Sequence, residues 1–179
     1  HGNSQNTPSN EEIVPATVMF TDIEGSTSLT QRLGDEGAHR LLREHNETVR
    51  RALDSYNGKE IKHTGDGIMA SFFSASRAVG CALYIQQSFA KRNDVNPEDA
   101  ARIRIGLNAG EPIAEGNDLF GTAVQLARRI CDRAEAGEVL VSDVVRQLVV
   151  GKGFSFKQLT AETLKGFVEP VVLFRVHPL

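Results

Sequence analysis

Two aspartates, each predicted to lie at a strand end or in a turn, are the first candidates for chemistry. Asp22 closes an apolar, β-branched run over 14–23, and Asp66 lies in the turn between predicted strands over 59–64 and 68–73. In a βαββαβ sheet the end of the first strand and the central hairpin are neighbours. Two carboxylates held close together repel each other unless a cation lies between them. Because oxygen ligands suit Mg²⁺ or Mn²⁺, the pair predicts a two-metal site for phosphoryl or nucleotidyl transfer.

The segment after Asp22 is compatible with a phosphate-bearing substrate. Gly25, Ser26 and Thr27 open a predicted helix, whose free N–H groups could hold a triphosphate, and Ser26 could cap that helix. Each feature also has an ordinary structural interpretation: Asp-Gly is common in turns, and an aspartate before a helix is a common cap. The sequence pattern alone leaves both interpretations open.

The elements that must position these residues alternate between strands and helices. Strands are predicted over 14–23, 59–64, 68–73, 102–109, 138–142, 153–159 and 171–177, and helices over 35–56, 75–92, 119–136 and 143–150. This order predicts an α+β fold with a ferredoxin-like βαββαβ core. We expect an antiparallel sheet with helices on one face, and additional C-terminal strands and helices.

Composition describes an ordinary globular domain. The 179 residues carry a formal charge of −3, which argues against nucleic-acid binding by bulk electrostatics. No apolar run approaches the ~20 residues of a membrane span, so no membrane contact is expected. Residues 1–12 are predicted to be a disordered lead-in or an expression remnant, and 13–179 a single domain. Cys81 and Cys131 lie in apolar helical patterns, as reduced core residues of a cytoplasmic protein would.

Four motifs in order strongly resemble the class III nucleotide cyclases, of the bacterial adenylate cyclase type. They are 20–27 (FTDIEGST), 62–67 (KHTGDG), 118–121 (DLFG) and 164–170 (LKGFVEP). The resemblance covers residues 13–177. It implies a catalytic domain that converts ATP or GTP to the cyclic 3′,5′-monophosphate and pyrophosphate. It also implies a homodimer in which each of two active sites at the interface takes residues from both subunits.

The resemblance assigns a role to several positions. Asp22 and Asp66 would bind two metal ions per site, Mg²⁺ or Mn²⁺, with the backbone carbonyl of Ile23 as a further ligand. Lys62 and Asp118 resemble the adenylate cyclase residues that bind the adenine ring nitrogen and the exocyclic amine. Adenine offers an acceptor and a donor, which a lysine and an aspartate match, whereas guanine reverses both. Guanylate cyclases generally have Glu at the first of these positions and a small residue at the second.

Three further residues resemble family positions that contact ribose and phosphates. Arg129, eleven residues after Asp118, resembles the arginine that stabilises transition-state charge on the α-phosphate. Neighbouring Arg128 is a competing candidate, which the spacing favours less. Gln125 stands where the family usually has Asn, so its ribose contact has one extra methylene. Lys165 resembles a phosphate-binding lysine, although a turn lysine is an equally ordinary interpretation.

We therefore expect an adenylate cyclase that makes 3′,5′-cyclic AMP by two-metal catalysis at a homodimer interface, with ATP as substrate. A guanylate cyclase is the nearest alternative, followed by a cyclase-like nucleotide-binding regulatory domain with little turnover. A polymerase-palm-like transferase or a cyclic-dinucleotide synthase would share the core. The Lys62/Asp118 pair and the C-terminal motif argue against those two. The general base stays open among Asp22, a bound water and a substrate phosphate.

Overall fold

The computed structural model describes residues 11–178, the side chain of Ser26 excepted. The strands are β1 (Glu12–Ile13), β2 (Ala16–Ile23), β3 (Lys59–His63), β4 (Gly67–Phe72), β5 (Ile103–Gly110), β6 (Ile113–Glu115), β7 (Asp118–Phe120), β8 (Val139–Ser142), β9 (Phe154–Gln158) and β10 (Leu173–Pro178). The helices are α1 (Ser26–Tyr56), α2 (Ala75–Val95), α3 (Thr122–Arg133) and α4 (Asp143–Leu148). No helix in this part of the chain is long and apolar enough to cross a membrane.

The main sheet has seven strands in the order β3-β4-β2-β5-β8-β10-β9. Strand β2 lies between β4 and β5 and is antiparallel to both. The first four strands of that order, with α1 and α2, form the ferredoxin-like βαββαβ core, which confirms the predicted α+β fold. The sheet is mainly antiparallel, with one parallel pair between β5 and β8.

Both faces of the sheet are covered, so the expectation of helices on one face is wrong. Met19 and Ile23 of β2 join the cluster that contains the apolar residues of α1 and α2. Val18 and Phe20 point the other way and pack with Ala127 of α3. The physical reason lies in β2, whose successive residues are apolar and therefore require cover on both sides.

Helix α3 is shorter than the predicted 119–136. Residues 118–120 instead form β7, which pairs with β6 in a hairpin. Gly121 separates strand from helix with φ 116°, a conformation that side chains other than glycine rarely adopt. The apolar Leu119, which the periodicity attributes to the helix, is a buried strand residue beside Phe20.

Helix α1 begins at Ser26, which confirms the helix start predicted at 25–27, and it continues with a kink into the helix predicted over 35–56. Gly34 interrupts it with φ 73° and ψ 176°, so a short first segment precedes the long one. The predicted cap at Ser26 is wrong, because Gly25 occupies the capping position and the helix begins at Ser26. The side chain of Ser26 lies outside the described residues.

A small second sheet joins the N-terminal strand to the β6–β7 hairpin in the order β1-β6-β7. Of the predicted lead-in over 1–12, residues 1–10 lie outside the described part, and Glu12 pairs with Ala114. Cys81 and Cys131 are buried free thiols, as predicted, and burial raises the pKa of each to about 12.

Candidate active site

Strand pairing brings Asp22 and Asp66 together, as the sequence predicts. Asp22 is aligned with Gly67 across the β2–β4 pair. The next residue, Ile23, donates its N–H to the carbonyl of Asp66 at 3.1 Å. Asp22 is buried, whereas Asp66 is exposed in the turn. The two carboxylates therefore lie at one end of neighbouring strands, the first at the sheet and the second facing solvent.

The close approach of the hairpin to β2 depends on Gly67. A Cβ at this position would lie 1.7 Å from the carbonyl oxygen of Thr21, so no other residue fits without moving the backbone. The N–H of Thr64 closes the turn by donating to the carbonyl of Gly67 at 2.9 Å. The glycine thereby sets how near Asp66 comes to the end of β2.

Arg104 is a site residue that the sequence did not identify. It lies opposite Asp22 on β5, and its guanidinium Nη2 forms an ion pair with Oδ2 of Asp22. Its Nη1 also donates to the carbonyl of Asp132 at 3.1 Å. The only signal in the sequence is an arginine between two isoleucines of a strand, and its partner depends on a register that the sequence does not specify.

Burial dominates the electrostatics of Asp22. The pKa of this carboxyl is raised from its ordinary value because burial penalises the charged form. The hydrogen bond and the positive charge of Arg104 oppose that shift, and the negative charge of Asp66 adds to it. A divalent cation would favour the ionised form of both aspartates.

The residues at this end of the sheet fit Mg²⁺ or Mn²⁺. Two neighbouring carboxylates and the adjacent backbone carbonyl of Ile23 are hard oxygen donors, which these ions prefer. The ion pair with Arg104 engages Oδ2 of Asp22, so a cation at that atom would compete with the guanidinium. The described residues contain no group of three or more His, Cys, Asp and Glu placed to hold a metal. A site here would therefore need ligands beyond the two aspartates.

Lys62 and Asp118 meet although they are far apart in the chain. The Nζ of Lys62 on β3 lies 2.8 Å from Oδ2 of Asp118 at the start of β7. The other carboxylate oxygen, Oδ1, accepts the N–H of Leu119 at 2.8 Å. The hydrogen bond from Lys62 lowers the pKa of Asp118. The pair presents a cationic donor and an anionic acceptor side by side on a partly exposed surface.

A cleft of about 320 Å³ opens beside this pair. It is lined by Phe20, Lys62, Thr64, Met69, Val124, Gln125, Arg128 and Arg129. The cleft thus brings together three predicted site residues: Lys62 from β3, and Gln125 and Arg129 from α3.

Asp132 forms ion pairs with Arg128 and Arg129, two of the three arginines of α3. Its carboxylate lies 3.2 Å from Nη1 of Arg129 and 3.5 Å from Nε of Arg128. The guanidinium of Arg128 also lies 5.7 Å from the centroid of the Phe20 ring. Both cations are half-buried at the cleft, so the structure does not separate the two candidates by exposure.

Other predicted residues lie apart from the cleft. Gly25 and Thr27 are exposed at the start of α1, and Lys165 is exposed in a turn that Phe167 closes by donating to the carbonyl of Leu164. Asp22 and Asp66 are also not among the residues that line the cleft. The cleft nevertheless adjoins the aspartates, because the positive charge of Arg128, which lines the cleft, acts on Asp22 and opposes the rise of its pKa that burial causes.

The sequence and the fold both match known nucleotide cyclases. Residues 9–177 match the family described as the adenylate and guanylate cyclase catalytic domain. The chain is 33% identical over 166 residues to a protein of Rhizobium meliloti (strain 1021) named "Putative adenylate cyclase 3". That match covers 91% of this chain and 28% of the relative, so the chain spans about a quarter of the relative's length.

Two crystal structures illustrate the structural match. An adenylate/guanylate cyclase/hydrolase from Silicibacter pomeroyi is 30% identical with a TM-score of 0.83, covering 94% of this chain and 99% of that one. The adenylyl cyclase CyaB from P. aeruginosa, at 24% identity and a TM-score of 0.77, covers 94% of this chain and 96% of its own, and shares the fold. With the family match over nearly the whole described chain, these findings show that the chain belongs to the adenylate and guanylate cyclase catalytic domain family.

Proposed function

We propose that this nucleotidyl cyclase domain is an adenylate cyclase, which converts ATP to 3′,5′-cyclic AMP and pyrophosphate. The observation that carries the proposal is the Lys62–Asp118 pair beside the cleft, with its nitrogen and oxygen 2.8 Å apart. Adenine presents its N1 acceptor and its 6-amino donor side by side on one edge. A lysine donor next to a carboxylate acceptor complements that edge.

Guanine fits the same pair poorly. Its 6-oxo group accepts and its N1 donates, so the base would meet Lys62 and Asp118 in the reverse order. A site discriminates strongly against a substrate that leaves its polar groups without hydrogen-bond partners. The charge pattern therefore supports ATP over GTP.

The remaining residues have roles in binding and charge stabilisation. Arg129 would stabilise the charge that develops on the α-phosphate when the ribose 3′-oxygen attacks it. Gln125 would orient the ribose through its amide, and Lys165 and the N–H groups of residues 25–27 would bind phosphate oxygens.

Asp22, Asp66 and the carbonyl of Ile23 would hold two Mg²⁺ or Mn²⁺ ions. Such ions, when bound, lower the pKa of a hydroxyl nucleophile and polarise a phosphoryl group. Arg104 adds a fixed positive charge beside Asp22, where a triphosphate would carry its negative charges.

We propose further that the active site is shared between two copies of the chain. The arrangement is supported by the family to which the chain belongs, and by the fact that Asp22 and Asp66 do not line the cleft of their own chain. A partner related by twofold symmetry would bring its cleft residues to the aspartates of the first chain, and the reverse. Each dimer would then hold two sites.

Product analysis tests the proposed function directly. Purified protein is incubated with Mn²⁺ and either ATP or GTP, and the products are separated by chromatography. We expect cyclic AMP from ATP, and little product from GTP. Preferential formation of cyclic GMP from GTP would make the domain a guanylate cyclase, and absence of product from both nucleotides would favour a regulatory role.

A further inference from the structure

We propose that His45 and Thr21 are positioning residues, which hold β2, the strand of Asp22, in register with β4, the strand that follows Asp66, through a buried hydrogen-bond network from α1. The aspartates' role in metal binding rests on the proposed function. These hydrogen bonds lie on the opposite face of β2 from Asp22, so they do not contact its carboxylate.

The chain of hydrogen bonds links β4, β2 and α1. The N–H of Ile68 donates to Oγ1 of Thr21 at 3.2 Å. That hydroxyl lies 2.9 Å from Nε2 of His45, and Nδ1 of the same imidazole lies 3.0 Å from Oδ1 of Asn46. Thr21 and His45 have no solvent-exposed surface.

The direction of each hydrogen bond follows from its partners. The amide oxygen of Asn46 only accepts, so Nδ1 of His45 carries the proton. In a neutral imidazole Nε2 is then an acceptor, and the Thr21 hydroxyl donates to it. Thr21 thus accepts from β4 and donates to α1 at once, which fixes its hydroxyl between two elements.

These hydrogen bonds lie close in sequence to both aspartates and can therefore affect the distance between them. Thr21 precedes Asp22, and its aligned partner Ile68 lies two residues after Asp66. Any slip of β2 against β4 would break the bond from Ile68 and also change the spacing of the two carboxylates. An apolar contact at the same place would supply packing without fixing a single arrangement, because it is not directional.

The surroundings of His45 favour its neutral form. Burial lowers its pKa, the hydrogen bond to Asn46 opposes that shift, and the charges of Arg50 and His63 add to it. Arg50 on α1 itself donates to Glu60 on β3 at 2.9 Å and contacts Nε2 of His63 at 2.6 Å. From α2, the group against the imidazole is the Phe89 ring, with centroids 6.3 Å apart. Protonation would turn Nε2 into a donor and end its acceptance from Thr21.

A pair of substitutions at Thr21 tests the proposal. Thr21→Val keeps the shape and removes the hydroxyl, whereas Thr21→Ser keeps the hydroxyl. Mn²⁺ affinity is measured by electron paramagnetic resonance in the presence of 3′-deoxy-ATP, which lacks the attacking hydroxyl, and kcat and KM are measured with ATP. We expect Thr21→Val to weaken Mn²⁺ binding and to lower kcat, each by about tenfold or more, with KM little changed. Thr21→Ser should recover most of both losses.

Substitutions on α1 provide a second measurement that does not depend on how Thr21→Val folds. His45→Leu removes both ring nitrogens and therefore the hydrogen bonds to Thr21 and Asn46, so it should weaken Mn²⁺ binding and lower kcat as Thr21→Val does. The matched control is His39→Leu, which changes an exposed histidine of the same helix and should leave Mn²⁺ affinity and kcat unchanged.

Several results would overturn the proposal or separate it from the proposed function. Wild-type Mn²⁺ affinity and kcat in folded Thr21→Val would overturn the positioning role, whatever its melting temperature. Wild-type Mn²⁺ affinity and kcat in folded His45→Leu would do the same. If the wild type forms no cyclic product, the proposed function fails, while Mn²⁺ affinity still decides whether Thr21 positions the aspartates.

Discussion

Arg104 of β5 and Asp22 of β2 face each other across neighbouring strands and form an ion pair at the end of the sheet. The carboxylate expected to bind a metal ion thus has a positive partner within its own chain. Burial nevertheless outweighs this partner and raises the pKa of Asp22. Because burial of the charged carboxylate is unfavourable, Asp22 should affect the stability of the protein as well as its metal binding.

We expect Asp22→Asn to stabilise the metal-free protein relative to the wild type, increasingly as the pH rises. Because the folded pKa of Asp22 is raised, its contribution to stability is full below the unfolded pKa of ~3.9 and is lost as the pH rises through the folded pKa. Asparagine is neutral throughout. Melting temperatures of both proteins in EDTA, between about pH 4 and 8, check this expectation. A difference that shrinks with rising pH would contradict it.

Metal ions should favour the stability of the wild type over that of Asp22→Asn, the reverse of the order expected in EDTA. Mg²⁺ or Mn²⁺ that binds the folded state stabilises it by mass action. At neutral pH, added metal should therefore raise the melting temperature of the wild type more than that of Asp22→Asn. Equal metal-induced shifts in the two proteins would argue against Asp22 as a ligand, independently of any activity.

Asp66→Asn should abolish turnover and leave the fold intact. Asp66 is exposed in the hairpin turn, so the substitution removes a charge without disturbing the core. Loss of a metal ligand is expected to lower kcat by roughly a thousandfold or more. The matched control is Asp54→Asn, an exposed aspartate on α1 that should retain wild-type kcat. Near-normal cyclisation by Asp66→Asn with Mg²⁺ would remove Asp66 from the site.

The sequence predicts those parts of the site that depend on local pattern. The apolar run ending at Asp22 and the glycine-flanked Asp66 indicate their strands, and their proximity follows from the βαββαβ core. Arg104 is different, because its contact with Asp22 depends on the register between β2 and β5, which local residues do not encode. Likewise the periodicity around Leu119 is compatible with helix or strand, and the conformation of Gly121 decides between them.

Lys62→Glu combined with Asp118→Gly should shift preference from ATP toward GTP. The ion pair explains why two changes are needed: Lys62→Glu alone would place two carboxylates together, and their repulsion should make it the least active variant. With Asp118→Gly the new glutamate can accept from guanine N–H groups. We expect the ratio of kcat/KM for GTP to that for ATP to rise by about tenfold or more, even if total activity falls. An unchanged ratio would mean that these residues do not recognise the base.

Mixing two inactive variants should restore activity if sites are shared between subunits. Asp22→Asn removes a metal ligand from one part of the site, and Arg129→Ala removes the arginine proposed to stabilise charge on the α-phosphate. In a mixed dimer one site then carries both defects and the other carries neither. With random exchange of equal amounts, half of the dimers are mixed, so roughly a quarter of all sites are intact. Activity should approach that fraction of the wild type and should fall on dilution as dimers separate. A mixture that exchanges subunits, shown by labelled chains, yet stays as inactive as its components would mean that each site is built within one chain.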